Sequence, residues 1–131
     1  MFGLGKIRLR GVDRKTISDN GHAEDYKSAP AIGRVRFGRH AFYYRDLGVH
    51  HHVPYDYIDR GFIRISECQP DDSPAYYYYR LILMHGEKEF ANLIFNEEKD
   101  ADEALARLTA LCPDMAVGYV PPPGGRKASF R

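Results

Sequence analysis

The stretch from Arg34 to Cys112 most constrains the fold, because short apolar runs separated by turn residues are followed by one amphipathic segment. Short runs rich in valine, isoleucine, tyrosine and phenylalanine are typical of β-strands. The order of several strands and then a single helix predicts an α+β protein. At 131 residues the chain has the length of one ordinary domain.

The strands are predicted from alternation and from their turns. Apolar side chains flank a glycine turn at Val35, Phe37, Gly38, Phe42 and Tyr44, which indicates a β-hairpin. Further extended segments are predicted at His50–Pro54, around Ile63 and Ile65, at Tyr76–Met84, and at Ala91, Leu93 and Phe95. Gly61 lies where the alternation changes phase, so a bulge or bend is expected there.

The helix is predicted from apolar residues spaced three and four apart, at Ala101, Ala104, Leu105, Leu108, Leu111 and Cys112. Asp100 and Glu103 fit a capping box at its start, and Pro113 ends it.

The two ends of the chain differ from this central part. Lys6–Val12 alternates basic and apolar residues, which fits an edge strand, whereas polar Thr16–Ala29 is interpreted as a loop with a turn at Asn20-Gly21. We therefore predict an N-terminal extension over 1–29, a folded domain over 30–115 and a flexible Pro/Gly/basic tail over 116–131.

Two sequence segments resemble those of a known family. The segment GRVRFGRHAFYY (Gly33–Tyr44), followed by VPYDYI (Val53–Ile58), resembles bacterial pleckstrin-homology-like and GRAM-like domains. The helix from Asp100 to Cys112 stands where the family's helix plugs one end of the sheet. The resemblance covers residues 30 to 112 and implies a mostly antiparallel β roll or barrel (PH-like) capped by one C-terminal helix. It also implies binding of phospholipid headgroups, peptides or proteins. The basic strand before residue 30 and the Tyr76–Tyr79 run depart from the family.

Charge and cysteine content narrow the classes of function. The net charge of +1 gives the whole molecule no attraction to nucleic acid or to an acidic membrane, so such binding would need a local patch. Cys68 and Cys112 match no zinc or redox spacing, which favours a cytoplasmic protein with reduced thiols over one with a Cys68–Cys112 disulfide. No apolar run approaches the roughly 20 residues of a membrane helix.

Three consecutive histidines, His50–His52, are the candidate metal ligands. On a strand, His50 and His52 share a face, but a zinc site needs three or four ligands and neither cysteine is near in sequence. A solvated polar strand edge is the favoured interpretation, and no metal or cofactor is expected. No phosphate loop, nucleophile elbow or HExxH motif is present, so we expect no enzymatic activity. A small hydrolase or metal-dependent enzyme that uses these histidines is the least favoured alternative.

Basic residues cluster on the first hairpin, and they are the candidate anion or headgroup ligands: Arg34, Arg36, Arg39, His40 and Arg45. Guanidinium groups suit phosphate oxygens. Alternating arginines are equally typical of the solvated face of a half-buried hairpin.

The Tyr76–Tyr79 run places two tyrosines on each face of a strand, so one pair is expected in the core. The outward pair, Tyr76 and Tyr78, is the candidate protein-contact surface. Single-stranded nucleic acid could also stack there, although the net charge disfavours it. The exposed rings are expected to be covered either by Lys6–Val12 or by a second copy of the chain.

The sequence therefore predicts a non-enzymatic binding or scaffold domain that mediates protein contact or self-association. The alternative is binding of an anion or phospholipid headgroup through the basic hairpin.

Overall fold

The computed structural model describes residues 9–12, 16–17 and 20–119, without the side chains of residues 16–17 and 20–23. The chain divides into two compact units, one ending at Tyr57 and the other beginning at Ile58. Each unit holds one mixed sheet, neither sheet is closed, and the main helix lies near the C-terminus. The coarse prediction of a mostly β protein with one late helix is confirmed. The predicted segment 120–131 of the tail, and residues 6–8 of the first strand, lie outside the described residues.

The first unit has six strands in the spatial order β2-β1-β6-β5-β4-β3. Its elements are β1 (Leu9–Arg10), β2 (Thr16–Ile17), α1 (Asn20–Ser28), β3 (Ala31–Ile32), β4 (Val35–Phe37), β5 (Ala41–Asp46), β6 (Val49–Pro54) and a 3-10 turn (Tyr55–Tyr57). Neighbouring strands are antiparallel except β1 and β6, which are parallel.

The predicted hairpin is confirmed as β4 and β5, whose register pairs Val35 with Tyr44 and Phe37 with Phe42. All four of these side chains are buried, so the apolar alternation in the sequence does mark an inward face. Gly48, at φ 77°, lies in the turn that leads from β5 to β6.

The prediction that Thr16–Ala29 is a loop with a turn at Asn20-Gly21 is wrong, because Asn20–Ser28 form helix α1. The helix sequence has no apolar stripe, and among its described side chains, Glu24–Ser28, the buried ones are Asp25 and Tyr26. A helix of this length is marginal by itself and needs tertiary contacts to be stable. Those contacts come from the hairpin and from β6, so the local sequence pattern could not indicate them.

The second unit has four strands in the spatial order β10-β7-β8-β9. Its elements are β7 (Arg60–Cys68), β8 (Tyr76–His85), β9 (Lys88–Phe95), α2 (Glu98–Leu111) and β10 (Ala116–Val117). The three long strands form an antiparallel meander, and β10 pairs in parallel with β7. Strand β10 therefore occupies the first two residues of the segment that was predicted to be a tail.

Helix α2 packs against β7, β8 and β9, as the apolar stripe predicts. Ala101, Ala104 and Leu108 are completely buried in the helix, and Leu81–Leu83 are completely buried in β8. Alanine at two of the three helix positions lets the helix backbone approach the sheet closely.

Two details of α2 differ from the prediction. The N-cap is Glu97 and makes no side-chain capping bond, so the predicted Asp100–Glu103 capping box is wrong. Glu103 instead accepts a hydrogen bond from Arg107, one turn along the helix. Leu111 is 43% exposed although Leu108 and Cys112 on either side of it are buried, so Leu111 is not part of the buried stripe.

The predicted bulge at Gly61 is also wrong, since Gly61 pairs in regular register with Leu83. The irregularity lies in the other ladder, between β8 and β9, at Leu83 and Met84. A Cβ at Gly61 would lie 3.2 Å from Leu105 Cδ1 and 3.4 Å from Met115 Sδ. The glycine therefore provides space for α2, not a change in strand direction.

Both cysteines are free thiols, so the alternative of a Cys68–Cys112 disulfide is wrong. Cys112 is buried at the end of α2, and burial raises the pKa of its thiol above the ordinary value. The neutral thiol therefore behaves as a small apolar core group.

Replacing Leu108 tests the packing of α2. We expect Leu108→Ala to lower the free energy of unfolding by about 2–5 kcal/mol, because a completely buried leucine leaves a cavity when it is truncated. Urea unfolding followed by circular dichroism measures this loss. Leu111→Ala is the matched control on the same helix and should cost less than about 1 kcal/mol because Leu111 is exposed. Equal losses in the two variants would contradict the packing.

Candidate protein-contact site

Strand β8 extends beyond its neighbour β9, and this difference in length creates the candidate site. The last pair between the two strands is Tyr79 with Phe95. Tyr76–Tyr78 pair only with β7, where they lie opposite Ser66–Cys68. We call this two-stranded end, Ser66–Cys68 with Tyr76–Tyr78, the overhang.

The hydrogen bonds of β10 show which way the peptide groups of β7 point. Gly118 N–H donates to Gly61 C=O at 3.0 Å, so the peptide group of Gly61 faces β10 and points away from β8. Peptide groups alternate in direction along a strand. The peptide groups of Ser66 and Cys68, five and seven residues further, therefore face β8.

The outer edge of the overhang follows from this alternation. Ser66 and Cys68 pair with Tyr78 and Tyr76, so the peptide groups of those two tyrosines are used in the β7 ladder. The N–H and C=O of Tyr77 point to the opposite side, where β9 has already ended. In the part of the chain that the structure describes, no strand pairs with Tyr77 on that side.

The tyrosine rings are not core residues, which corrects the expectation that one pair faces inward. Tyr76 and Tyr77 are 46% and 49% exposed, and Tyr78 and Tyr79 are half-buried. The core of β8 begins only at Leu81, because α2 covers the middle of the sheet. In the first unit, Leu9–Arg10 of the N-terminal strand pair with β2 and β6.

Tyr76 and Tyr78 lie on the same face of the overhang with their rings edge to face, 5.3 Å apart. Hydrogen bonding to Cys68 and to Tyr78 raises the pKa of the Tyr76 phenol, so the Tyr76 hydroxyl remains a neutral donor and acceptor. Along the same face, Arg80 donates to Ser66 and to Asn92 at 3.3 Å. The surface is therefore aromatic at the overhang and cationic beside it.

The structure separates the basic candidate residues into two groups. Arg34 and Arg45 are adjacent across the open end of the hairpin, where Arg45 N–H donates to Arg34 C=O at 3.3 Å. Arg36 lies two residues along on the same face. Arg39 and His40 lie at the other end, in the turn between β4 and β5. The five residues therefore do not form one site.

Tyr26 of helix α1 contacts both Arg36 and His50. The guanidinium of Arg36 lies 4.5 Å above the Tyr26 ring and donates to the Tyr26 C=O. The Tyr26 hydroxyl lies 2.8 Å from His50 Nδ1. Burial lowers the pKa of His50, and the charges of Arg45 and Arg36 lower it further. The imidazole is thus neutral and leaves the positive charge of this face to the arginines.

Asp25 is a side chain whose role sequence reasoning missed, and its carboxylate accepts three hydrogen bonds. Its carboxylate accepts hydrogen bonds from the backbone N–H of Arg39 at 2.7 Å and of His40 at 3.2 Å. It also accepts a hydrogen bond from the Tyr43 hydroxyl at 2.6 Å. Asp25 therefore joins α1 to the hairpin turn and holds that turn in place. A single acidic residue in a polar segment carries no sequence signal for such a role.

Gly38 is required by the closeness of this contact. A Cβ there would overlap Asp25 Oδ2 and lie 2.6 Å from Tyr43 Cε2. Burial raises the pKa of Tyr43, and the Asp25 carboxylate raises it further, so the phenol stays protonated and donates. Burial alone would raise the pKa of Asp25, but the hydrogen bonds from Tyr43, Arg39 and His40 outweigh it and lower the pKa below its usual value.

An open groove of about 560 Å³ runs beside this turn. Glu24 and Ser28 line it from α1, and Phe37, Arg39 and His40 line it from the hairpin. The Asp25 carboxylate also borders the groove, but both of its oxygens already accept hydrogen bonds from the chain.

The histidine strand is not a solvated edge, which corrects the favoured interpretation of His50–His52. Strand β6 lies between β1 and β5, and His52 is buried against the Tyr43 ring. His51 stacks on Tyr44 with ring centroids 4.6 Å apart. Within the described ranges, no three histidine, cysteine or acidic side chains converge as metal ligands.

Replacing Asp25 tests its role in joining α1 to the hairpin. We expect Asp25→Ala to lower the free energy of unfolding at pH 7 by about 1–3 kcal/mol, because the buried Tyr43 hydroxyl loses its acceptor. Glu24→Ala, an exposed neighbour on the same helix, should change it by less than about 0.5 kcal/mol.

The pH dependence of this loss has a definite sign. Since the pKa of Asp25 is lowered by folding, its contribution is present above the unfolded value of about 3.9 and is lost as the pH falls through the folded value. The stability difference between wild type and Asp25→Ala should therefore shrink below about pH 4. A difference that grows on acidification would contradict the assignment.

Comparison with known proteins found no match to a family model, a curated protein or a solved structure. In the described parts of the chain, no helix is long and apolar enough to cross a membrane.

Proposed function

We propose that this protein is a non-enzymatic protein-contact domain whose contact site is the overhang. The observation that carries the proposal is the outward peptide group of Tyr77, which lies between two exposed or half-buried tyrosine rings where β9 has ended. An open strand edge binds another chain through main-chain hydrogen bonds, and the flanking side chains supply specificity.

The residue types support the same role. Tyrosine supplies a large contact area with few rotatable bonds and is enriched at protein interfaces. The two hydroxyls of Tyr76 and Tyr78 lie 3.4 Å apart and can satisfy polar groups of an incoming chain.

The geometry also supports a binding role over a catalytic one. Asp25 is the buried carboxylate among the described residues, and its hydrogen bonds to Arg39, His40 and Tyr43 leave it acting as a structural acceptor. Its lowered pKa is that of a structural carboxylate and does not approach neutrality, where a general base is most effective.

We also propose that the fold is related to the PH-like and GRAM-like domains. The glycine-turned hairpin of β4 and β5, and the helix α2 that follows the last long strand and packs on the sheet, support this relation.

Site-specific photo-crosslinking tests the contact site. A benzophenone amino acid at Tyr76 should give a discrete protein adduct in cells that express the full chain. The same amino acid at Leu47, a turn residue that is 95% exposed, is the matched control and should give none. Adducts of equal yield at the two positions, or none at Tyr76, would contradict the proposal.

A second candidate function is anion binding at Arg34, Arg36 and Arg45. These three arginines lie on one face at the open end of the hairpin, and within the described residues no carboxylate forms an ion pair with them. Clustered guanidinium groups without a counter-ion are suited to phosphate oxygens.

Two double variants separate this site from the turn. Arg34→Ala/Arg45→Ala should weaken phosphate binding by about tenfold or more, because charge-assisted hydrogen bonds are lost. Arg39→Ala/His40→Ala removes one arginine and one histidine from the turn and should change phosphate binding little. Calorimetry with inorganic phosphate, and flotation with anionic and neutral vesicles, distinguish a soluble anion from a headgroup. Equal effects of the two variants would contradict the assignment.

A further inference from the structure

We propose that the partner at the overhang is a second copy of this chain, which pairs antiparallel about a two-fold axis at Tyr77. This inference rests on the proposed contact function and names its partner. In this arrangement the N–H of each Tyr77 donates to the C=O of Tyr77 in the second copy. Each Tyr76 then lies opposite Tyr78 of the second copy.

The direction of the peptide groups selects this register. Tyr77 is the residue of the overhang whose peptide group points to the outer edge, because those of Tyr76 and Tyr78 are used by β7. A two-fold axis at Tyr78 would place the Tyr77 peptide group opposite that of Tyr79, which already pairs with Phe95. Only the axis at Tyr77 uses the same two groups in both copies, as an isologous contact requires.

The length of the overhang fits the same pairing. Beyond Tyr79 the edge is occupied by Phe95 of β9, and on the other side Pro74 cannot donate a hydrogen bond. Ala75–Tyr78 therefore remain, and the pairing about Tyr77 uses the three β8 residues among them, Tyr76–Tyr78, in each copy.

Charge complementarity favours the antiparallel orientation. The exposed turn before β8 carries Asp71 and Asp72, whereas Arg80 lies on the other side of the overhang. An antiparallel pair directs each acidic turn toward the end of the second copy's overhang at which Arg80 lies. A parallel pair would place like charges side by side, which is destabilising.

The aromatic surface is also self-complementary. Tyr76 and Tyr78 share a face, so the two-fold axis brings four rings together across the new strand pair. Aromatic cross-strand pairs stabilise sheets, and Tyr76, which is 46% exposed, would lose solvent contact there.

The outer edge of β9 differs from the overhang in the features that prevent pairing. It carries the exposed charges Lys88 and Glu89, and its ladder is irregular at Leu83 and Met84. Charged side chains and bulges are the usual protection of edge strands. The tyrosine segment of the overhang has neither.

Tyr77→Pro is the sharpest test, because it removes the N–H that points outward and leaves the β7–β8 hydrogen bonds intact. Sedimentation velocity should show the wild-type mass rising toward that of a dimer with concentration. Tyr77→Pro should weaken association about tenfold or more while its thermal midpoint stays within a few degrees of wild type. Tyr77→Ala keeps the N–H and should weaken association less. A wild type that stays monomeric at high micromolar concentration, or a Tyr77→Pro variant that associates as strongly as wild type, would overturn the proposal.

A second variant keeps the test decisive if Tyr77→Pro fails to fold. Asp71→Lys/Asp72→Lys changes two exposed turn residues and should weaken association, because it directs like charges toward the end of the second copy's overhang at which Arg80 lies. Unchanged association in this variant would overturn the antiparallel arrangement.

Mixed tags separate this inference from the proposed function. Two differently tagged copies are co-expressed, each with the benzophenone amino acid at Tyr76. Adducts that contain both tags are expected and support self-pairing. Adducts with other proteins alone would overturn self-pairing and leave the contact function standing, whereas no adduct would overturn both.

Discussion

Helix α2 covers the middle of the second sheet, and the position of the overhang depends on this packing. Leu81–Leu83 are the completely buried part of β8, and Ala101, Ala104 and Leu108 are the helix residues that are buried as fully. Strand β9 ends at Phe95, just before the chain enters the helix at Glu98. The remaining residues of β8 have no strand beside them on that side. The overhang therefore results from the same packing that stabilises the second unit.

In the first unit, the Asp25 carboxylate has the comparable structural importance. It accepts hydrogen bonds from two backbone N–H groups and one phenol hydroxyl, and Gly38 leaves room for its close approach. Because Asp25 holds the turn, Arg39 and His40 are fixed at the end of the hairpin opposite Arg34 and Arg45. The unit thereby separates the arginines of its basic face from a turn whose backbone N–H donors are bonded to Asp25.

Several elements could be predicted because their signal is local. The β4–β5 hairpin, the strand Tyr76–Met84 and helix α2 follow from the spacing of their apolar residues, since one face of each is buried. Helix α1 could not be predicted, because its stability comes from Asp25 and Tyr26 contacts with distant strands. The Gly61 bulge was wrong for a similar reason: the glycine accommodates Leu105 of a helix more than 40 residues later.

The sequence by itself determined the order of the main elements and the residue types at both candidate sites, because hydrophobic periodicity and turn chemistry act over a few residues. Only the tertiary structure decided that Tyr76–Tyr78 lie beyond the core and that the basic cluster is divided. It also decided that the peptide group of Tyr77 points outward. These properties depend on where one strand ends relative to its neighbour and on which residues face each other across a sheet. Such relations join distant residues, and no local pattern records them.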